Sequence, residues 1–253
     1  MAKAPKTTME TENSVQPLRQ GVVKLRLIGT TPLYQNRMAA KAKQQLLVGG
    51  QRKGKADRAS IKHNPEDEYR DSAEKLLSGP TALGLNVIAV KAAMSTAALE
   101  TPGLTKTSAQ RLLFMPGSFA PLYGTPQLKM DTVRSADINR TPDIRSRCFL
   151  PRWGAEVEVR YVVPQLSMTS VVNLLINAGI LIGVGDFRQE KGKGSFGSFR
   201  VLGEGTKDKE WDDLVANHGR MPQLAALANP EYADNDTRDL MEYFFSEVKR
   251  RAA

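Results

Sequence analysis

This chain is poor in the residues that most often carry chemistry. Among its 253 residues are one cysteine, Cys148, and two histidines, His63 and His218. One cysteine excludes an internal disulfide and a four-cysteine metal site. It fits a reducing compartment, so a cytoplasmic setting is expected. Two histidines far apart in sequence argue against a histidine-rich metal site and leave few candidates for acid–base work. No apolar run approaches the ~18 residues of a membrane span. The opening "MAKAPKTTMETENSVQPLRQG" lacks the apolar middle of a signal peptide, and residues 1–20 read as a polar, disordered tail.

Positive charge is what the chain has in excess. The formal net charge is +9 and the pI about 9.6. Hydrophobic residues make up 41%, enough for an ordinary core in one elaborated domain. The charge is clustered. Residues 36–62, "NRMAAKAKQQLLVGGQRKGKADRASIK", hold Arg37, Lys41, Lys43, Arg52, Lys53, Lys55, Arg58 and Lys62 against one acid, Asp57. Such a run reads as a nucleic-acid arm or as a solvated insertion.

Periodicity places the elements. In "GVVKLRLIGTTPLY", Val23, Leu25 and Leu27 alternate with Lys24 and Arg26, which predicts a half-buried strand ended near Pro32. "PEDEYRDSAEKLL" predicts a helix with Ala73, Leu76 and Leu77 available for packing. Val87, Val90, Ala93, Met94 and Ala97 recur at helical spacing, a core helix stopped by Pro102 and Gly103. "RLLFM" reads as a short strand, "APLYG" as an extended piece and "KMDTVRSADI" as a further strand. "RTPDIRSRCFLP" carries Arg140, Arg145 and Arg147. "GAEVEVRYVVP" alternates Val157, Val159 and Tyr161 with Glu156, Glu158 and Arg160. "SMTSVVNLLINAG" is a helix with Ser167 as its cap and Gly179 as its stop. "SFRVL" is a strand with Phe199 and Val201 on one face. Residues 204–253 are expected to be a helical extension. It has short helices around Trp211 and Leu224 and an amphipathic end helix carrying Leu240, Phe244 and Val248.

Between the last long helix and the closing strand lies "GVGDFRQEKGKGSFGSFRV". Residues 192–197, "GKGSFG", match G-x-G-x-x-G. The dinucleotide fingerprint needs strand, glycines, then helix; here a helix comes first and a strand follows. A Walker loop needs Gly-Lys followed at once by Ser or Thr, and Gly194 separates Lys193 from Ser195. Two readings remain. One is a basic phosphate-binding loop, in which glycine amides approach an anion, Arg188, Lys191 and Lys193 attract it, and Phe187 or Phe196 stacks on bases. The other is a bulged turn with Phe196 in the core. One of the two phenylalanines, not both, is expected to be exposed.

The order strand, basic insertion, helix, strand pieces, strand, helix, glycine loop, strand approaches βαββαβ. With that order, "LIGTTPLYQNR" and "GVGDFRQEKGKGSFGSFRV" resemble the RAMP superfamily, the repeat-associated RNA-binding proteins that include backbone and processing subunits of CRISPR effector complexes. The likeness spans roughly residues 21–203. It implies an α+β, ferredoxin-like or RNA-recognition-type core with a basic insertion over 36–80, and an RNA ligand bound by sheet face, glycine loop and insertions. The strands show no aromatic RNP-type signature. The chain is short for a backbone subunit, which points to a stand-alone relative such as a phage-encoded protein.

The resulting expectation is a protein that binds single-stranded RNA or DNA and self-associates, with no membrane partner. Its nucleic-acid-binding residues would be Arg37, Lys41, Lys43, Arg52, Lys53, Lys55, Arg188, Lys191, Gly192, Lys193, Gly194 and Phe196. Neither a cofactor nor a metal is expected, since Asp131, Asp137 and Asp143 are scattered. Two alternatives stand beside this. One is a phage structural or assembly protein. The other is a metal-independent endoribonuclease, the activity of the superfamily's processing members, with His63 as its one candidate base.

Overall fold

The structure is a computed structural model. It describes residues 17–39, 43, 47, 63–134, 141–191 and 194–252. Of the expected site residues, Lys41, Arg52, Lys53, Lys55, Gly192 and Lys193 lie outside the described residues, as do Asp137 and most of the tail.

The alternating stretches pair into an antiparallel sheet. Strand β1 (Arg19–Gly29) starts two residues before its expected start and turns Leu25 and Leu27 inward. It runs beside β8 (Gly154–Val163) from Arg19↔Val163 to Ile28↔Gly154, which sets Val157 next to Leu25 and Val159 next to Val23. On its other side β9 (Phe199–Gly203) pairs with Leu25–Gly29. The far edge of β8 is shared by β4 (Leu113–Phe114) and β5 (Phe119–Tyr123), and β3 (Leu83–Asn86) pairs with β5. The strand order is β3-β5-β8-β1-β9, and the fold is mixed α+β.

Two helices close one face of this sheet. Helix α2 (Val87–Ala97) follows the expected core helix, and the Asn86 side chain caps it by accepting from Ile88 and Ala89 amides. Helix α4 (Met168–Asn177) is capped by Ser167 as expected. Their buried Val90, Met94, Val171 and Leu175 share one core with Leu25, Leu27 and Val159. The stop at Gly179 is corrected. The helix runs on through a wider turn, Ala178–Ile182, and ends at Gly183, whose φ of 73° suits glycine. Gly179 is needed for another reason: a Cβ there would lie 2.1 Å from the Phe199 carbonyl oxygen.

A second sheet, β2-β7-β6, was not foreseen. It is built from β2 (Leu33–Gln35), β6 (Gln127–Arg134) and β7 (Pro142–Leu150). Helix α1 (Pro65–Ser72) packs on β7. It ends at Ser72, so the expected packing of Leu77 fails: that side chain is 98% exposed. "RLLFM" is split between α3 (Lys106–Leu112) and β4.

The C-terminal helices pack on the core. Trp211 of α5 (Lys209–Asn217) meets Tyr123 edge-on at 5.6 Å and lies under Arg26 at 5.1 Å. Gln223 of α6 (Arg220–Ala228) is fully buried. It accepts from the Ala82 and Leu83 amides and donates to the Leu122 and Gly124 carbonyls. Helix α7 (Asn235–Ala252) inserts Met241 into the core, with Leu240 beside it.

Asp234 fixes the start of α7 to β6 through Lys129 and through the Thr237 amide at 2.9 Å. Burial pushes its carboxyl up, but the bonds from Lys129 and Thr237 outweigh that and hold it at about 2, against an ordinary 3.8. A carboxyl depressed on folding adds stability above its unfolded pKa, and the gain is lost as pH falls through the folded value. The melting-temperature gap between wild type and Asp234→Asn should therefore be constant above pH about 4 and close as pH falls toward about 2. Calorimetry across that range checks this; a gap unchanged at pH about 2 contradicts it.

Candidate functional site

The glycine loop folds back onto β2. Its amides bond inside the chain: Gly183 to Ala178, Val184 to Gly197, Asp186 to Tyr34, Phe196 to Phe187 and Gly197 to Pro32. Its glycines permit backbone to meet backbone. A Cβ on Gly194 would stand 1.7 Å from the Phe187 carbonyl oxygen, and one on Gly197 1.7 Å from that of Val184. These glycines are therefore required by the loop's own packing, whatever it binds.

The loop's rings close around Tyr34. Phe187 lies 5.4 Å from it edge-on and Phe196 4.9 Å, with Phe149 of β7 at 5.0 Å. Both phenylalanines are half-buried, so the expectation that one of them is exposed is corrected; each has Tyr34 as its partner. The Tyr34 hydroxyl donates to Asp131 Oδ1 at 3.3 Å. Burial raises the pKa of both groups, and for Asp131 the Tyr34 bond and the cations Lys129 and Arg147 offset part of the rise.

Arg147 ties this cluster to the loop. Its guanidinium stands over the Phe187 ring at 4.6 Å and pairs with Asp186 at 3.2 Å. Asn36 holds the same carboxylate at 2.9 Å. The sequence marked Arg147 only as one basic residue among several, and Tyr34 and Phe149 not at all. The signal was the alternation in "RSRCFL": Ser146, Cys148 and Leu150 turn inward, and Arg147 and Phe149 toward the loop.

A furrow runs along this wall. Its middle, a hollow of about 250 Å3, lies between β2 and the loop on one side and the start of α2 on the other. Arg37 and Arg188, distant in sequence, both line it. Asn36 and Arg37 also line a second hollow together with Arg145 and Arg147, and Ala89 and Arg188 a third together with Lys106. Carboxylates hold the arginines in place: Glu74 lies 3.5 Å from Arg37, Glu190 2.8 Å from Arg188 and Asp143 3.3 Å from Arg145. Lys43 is exposed, and its amide donates to the Ala39 carbonyl. Lys191 closes the short turn Gln189–Lys191.

His63 stands between two carboxylates. Nδ1 faces Glu68 at 2.5 Å and Nε2 faces Asp143 at 3.0 Å. Both nitrogens are engaged by carboxylates. The arrangement ties His63 to α1 through Glu68 and to β7 through Asp143.

No protein-family model and no curated protein matches this chain. Among the described residues, no helix is long and apolar enough to cross a membrane.

Proposed function

We propose that this protein binds single-stranded nucleic acid, RNA foremost, with the sugar–phosphate chain lying in the furrow between β2, the glycine loop and the start of α2. The observation that carries this reading is the meeting of Arg37 and Arg188 in one hollow, with Arg145, Arg147 and Lys106 lining the two hollows that share residues with it. The basic segment 40–62 leaves the described structure at that cleft's rim. Cations aligned along a groove attract a polyanion without regard to sequence. The glycine loop acts as a wall that presents Arg188 and braces Arg147, with the Val184, Asp186, Phe196 and Gly197 amides spent on bonds inside the chain.

The sheet order lends support to a ferredoxin-like core. With α2 between β1 and β5 in the chain, and α4 between β8 and β9, the order β5-β8-β1-β9 is the one a βαββαβ unit adopts. In that reading β2, β6, β7 and α1 are additions that build the far wall of the furrow. Self-association has support from two exposed features: the β1 edge at Arg19–Lys24 beyond the reach of β9, and Tyr243, Phe245 and Val248 on α7.

Fluorescence anisotropy with labelled oligonucleotides tests the reading. A single strand is expected to bind at least tenfold more tightly than the matching duplex, because a furrow of this size admits one backbone and not two. Equal or tighter binding of duplex contradicts it.

A further inference from the structure

Arginines alone do not describe the hollow where Arg37 and Arg188 meet. Glu74, Asn86 and Asp186 line it too. The Asp186 carboxylate is taken by the Phe187 amide, Asn36 and Arg147. Glu74 is different. A carboxylate in a groove for a polyanion repels any phosphate beside it. It marks a point on the strand's path that suits a neutral donor rather than an anion.

Glu74 and Asn86 are held in place, and each keeps one polar atom to spare. Buried Gln35 supplies the frame. Its Oε1 accepts from the Glu74 amide at 3.0 Å, and its Nε2 donates to the Gly84 carbonyl at 2.8 Å. The Gly84 amide donates to the Glu74 carbonyl at 2.8 Å. Glu74 and strand β3, which ends at Asn86, are thereby tied to β2 and to each other. Glu74 Oε2 faces Arg37 Nε at 3.5 Å, and Oε1 has no partner among the described residues. Asn86 Oδ1 is occupied by the Ile88 and Ala89 amides as the cap of α2. Its Nδ2 has no acceptor among the described residues. Both spare atoms are open to solvent.

The hollow thus offers one fixed acceptor and one fixed donor between two guanidiniums. A hydroxyl group satisfies both, since it donates to a carboxylate and accepts from an amide. RNA carries one such hydroxyl, the 2′-OH, on the sugar between successive phosphates, and DNA lacks it. The volume of about 250 Å3 is several times the roughly 30 Å3 of a water and leaves room for a sugar ring.

We infer that this hollow is a ribose subsite, in which Glu74 accepts from one 2′-hydroxyl and Asn86 donates to it, with Arg37 and Arg188 toward the flanking phosphates. The inference rests on the nucleic-acid reading of the furrow and makes that furrow selective for RNA over DNA.

Fluorescence anisotropy compares single strands of one sequence as RNA, as DNA, and as RNA with each 2′-hydroxyl replaced by fluorine or by methoxy. The fluoro strand keeps the sugar pucker of RNA but has no proton to donate to Glu74. Wild type is expected to bind RNA about tenfold or more tightly than DNA, the gain from one hydrogen bond to a charged group. Both modified strands should fall toward DNA. Asn86→Ser keeps a capping oxygen for α2 and loses the donor; Glu74→Ala loses the acceptor. In each variant RNA affinity should come within about twofold of DNA affinity. Arg251→Gln, on the exposed end of α7, should keep the wild-type ratio. A purely structural role lowers RNA and DNA binding alike, and an unchanged ratio in both variants overturns the subsite. Equal affinity for RNA and DNA in the wild type, or a fluoro strand that binds as RNA does, also overturns it and leaves the furrow standing. No binding of any strand at low salt refutes the furrow and the subsite with it.

Discussion

Gly197→Ala is expected to destabilise the fold by more than about 4 kcal/mol. Gly197 has a φ of 74°, and its missing Cβ would stand 1.7 Å from the Val184 carbonyl oxygen and 2.8 Å from its carbon. The opposing atoms are backbone and cannot rotate away. They are held by the bond from the Val184 amide to the Gly197 carbonyl at 2.9 Å, while the Gly197 amide reaches Pro32 at 2.8 Å. Relief would part the loop from β2 and open the ring cluster around Tyr34. The left-handed backbone alone costs about 1–2 kcal/mol for a residue with a Cβ. The clash raises the total to more than about 4 kcal/mol, a large share of the 5–15 kcal/mol typical of a folded domain. Gly205 is the control, with a φ of 77° and no atom within 4 Å of where a Cβ would stand. Gly205→Ala should lose only about 1–2 kcal/mol. Urea denaturation followed by circular dichroism measures both. Equal, small losses in the two variants contradict a loop closed by backbone against backbone.

The double variant Arg37→Glu/Arg188→Glu is expected to lose at least about 100-fold in affinity for a single-stranded oligonucleotide at moderate salt. The two guanidiniums line the same hollow, so reversing both replaces two attractions by two repulsions at one point on the strand's path. Each is only half-buried and pairs with a local acid, Glu74 or Glu190. Exposed pairs of this kind contribute about 1 kcal/mol or less, so the fold should survive. Removing two phosphate contacts should also flatten the log–log salt slope by about 1.4 units. A folded double variant that binds as the wild type does removes the furrow from the account.

The large sheet was legible because its signals are local. The alternation in β1 and β8, the helical spacing in α2 and the Ser167 cap of α4 can each be read within a dozen residues. The second sheet was not. Its strand β2 is only three residues long and pairs with β7 across more than 100 residues of chain, Tyr34 with Phe149. Gly179 was misread because a glycine after a helical run serves equally as a stop or as a point of close approach, and only the position of Phe199 decides between them. The site was half legible. Charge picked out Arg37 and Arg188, but no local pattern could reveal that one cleft contains both. Gly194 reads in sequence as an approach for phosphate, and the backbone of Phe187 across the loop already requires a glycine there; Gly192 lies outside the described residues.

The central claim, a polyanion held in an arginine-lined furrow, is tested most directly by the salt dependence of binding. The association constant of a labelled single-stranded RNA of about 20 nucleotides is measured between about 50 and about 400 mM potassium chloride. A furrow engaging Arg37, Arg145, Arg147, Arg188 and the basic segment predicts a straight log–log line with a slope of about −3 or steeper. A line flatter than about −1, or no measurable binding at the lowest salt, contradicts it.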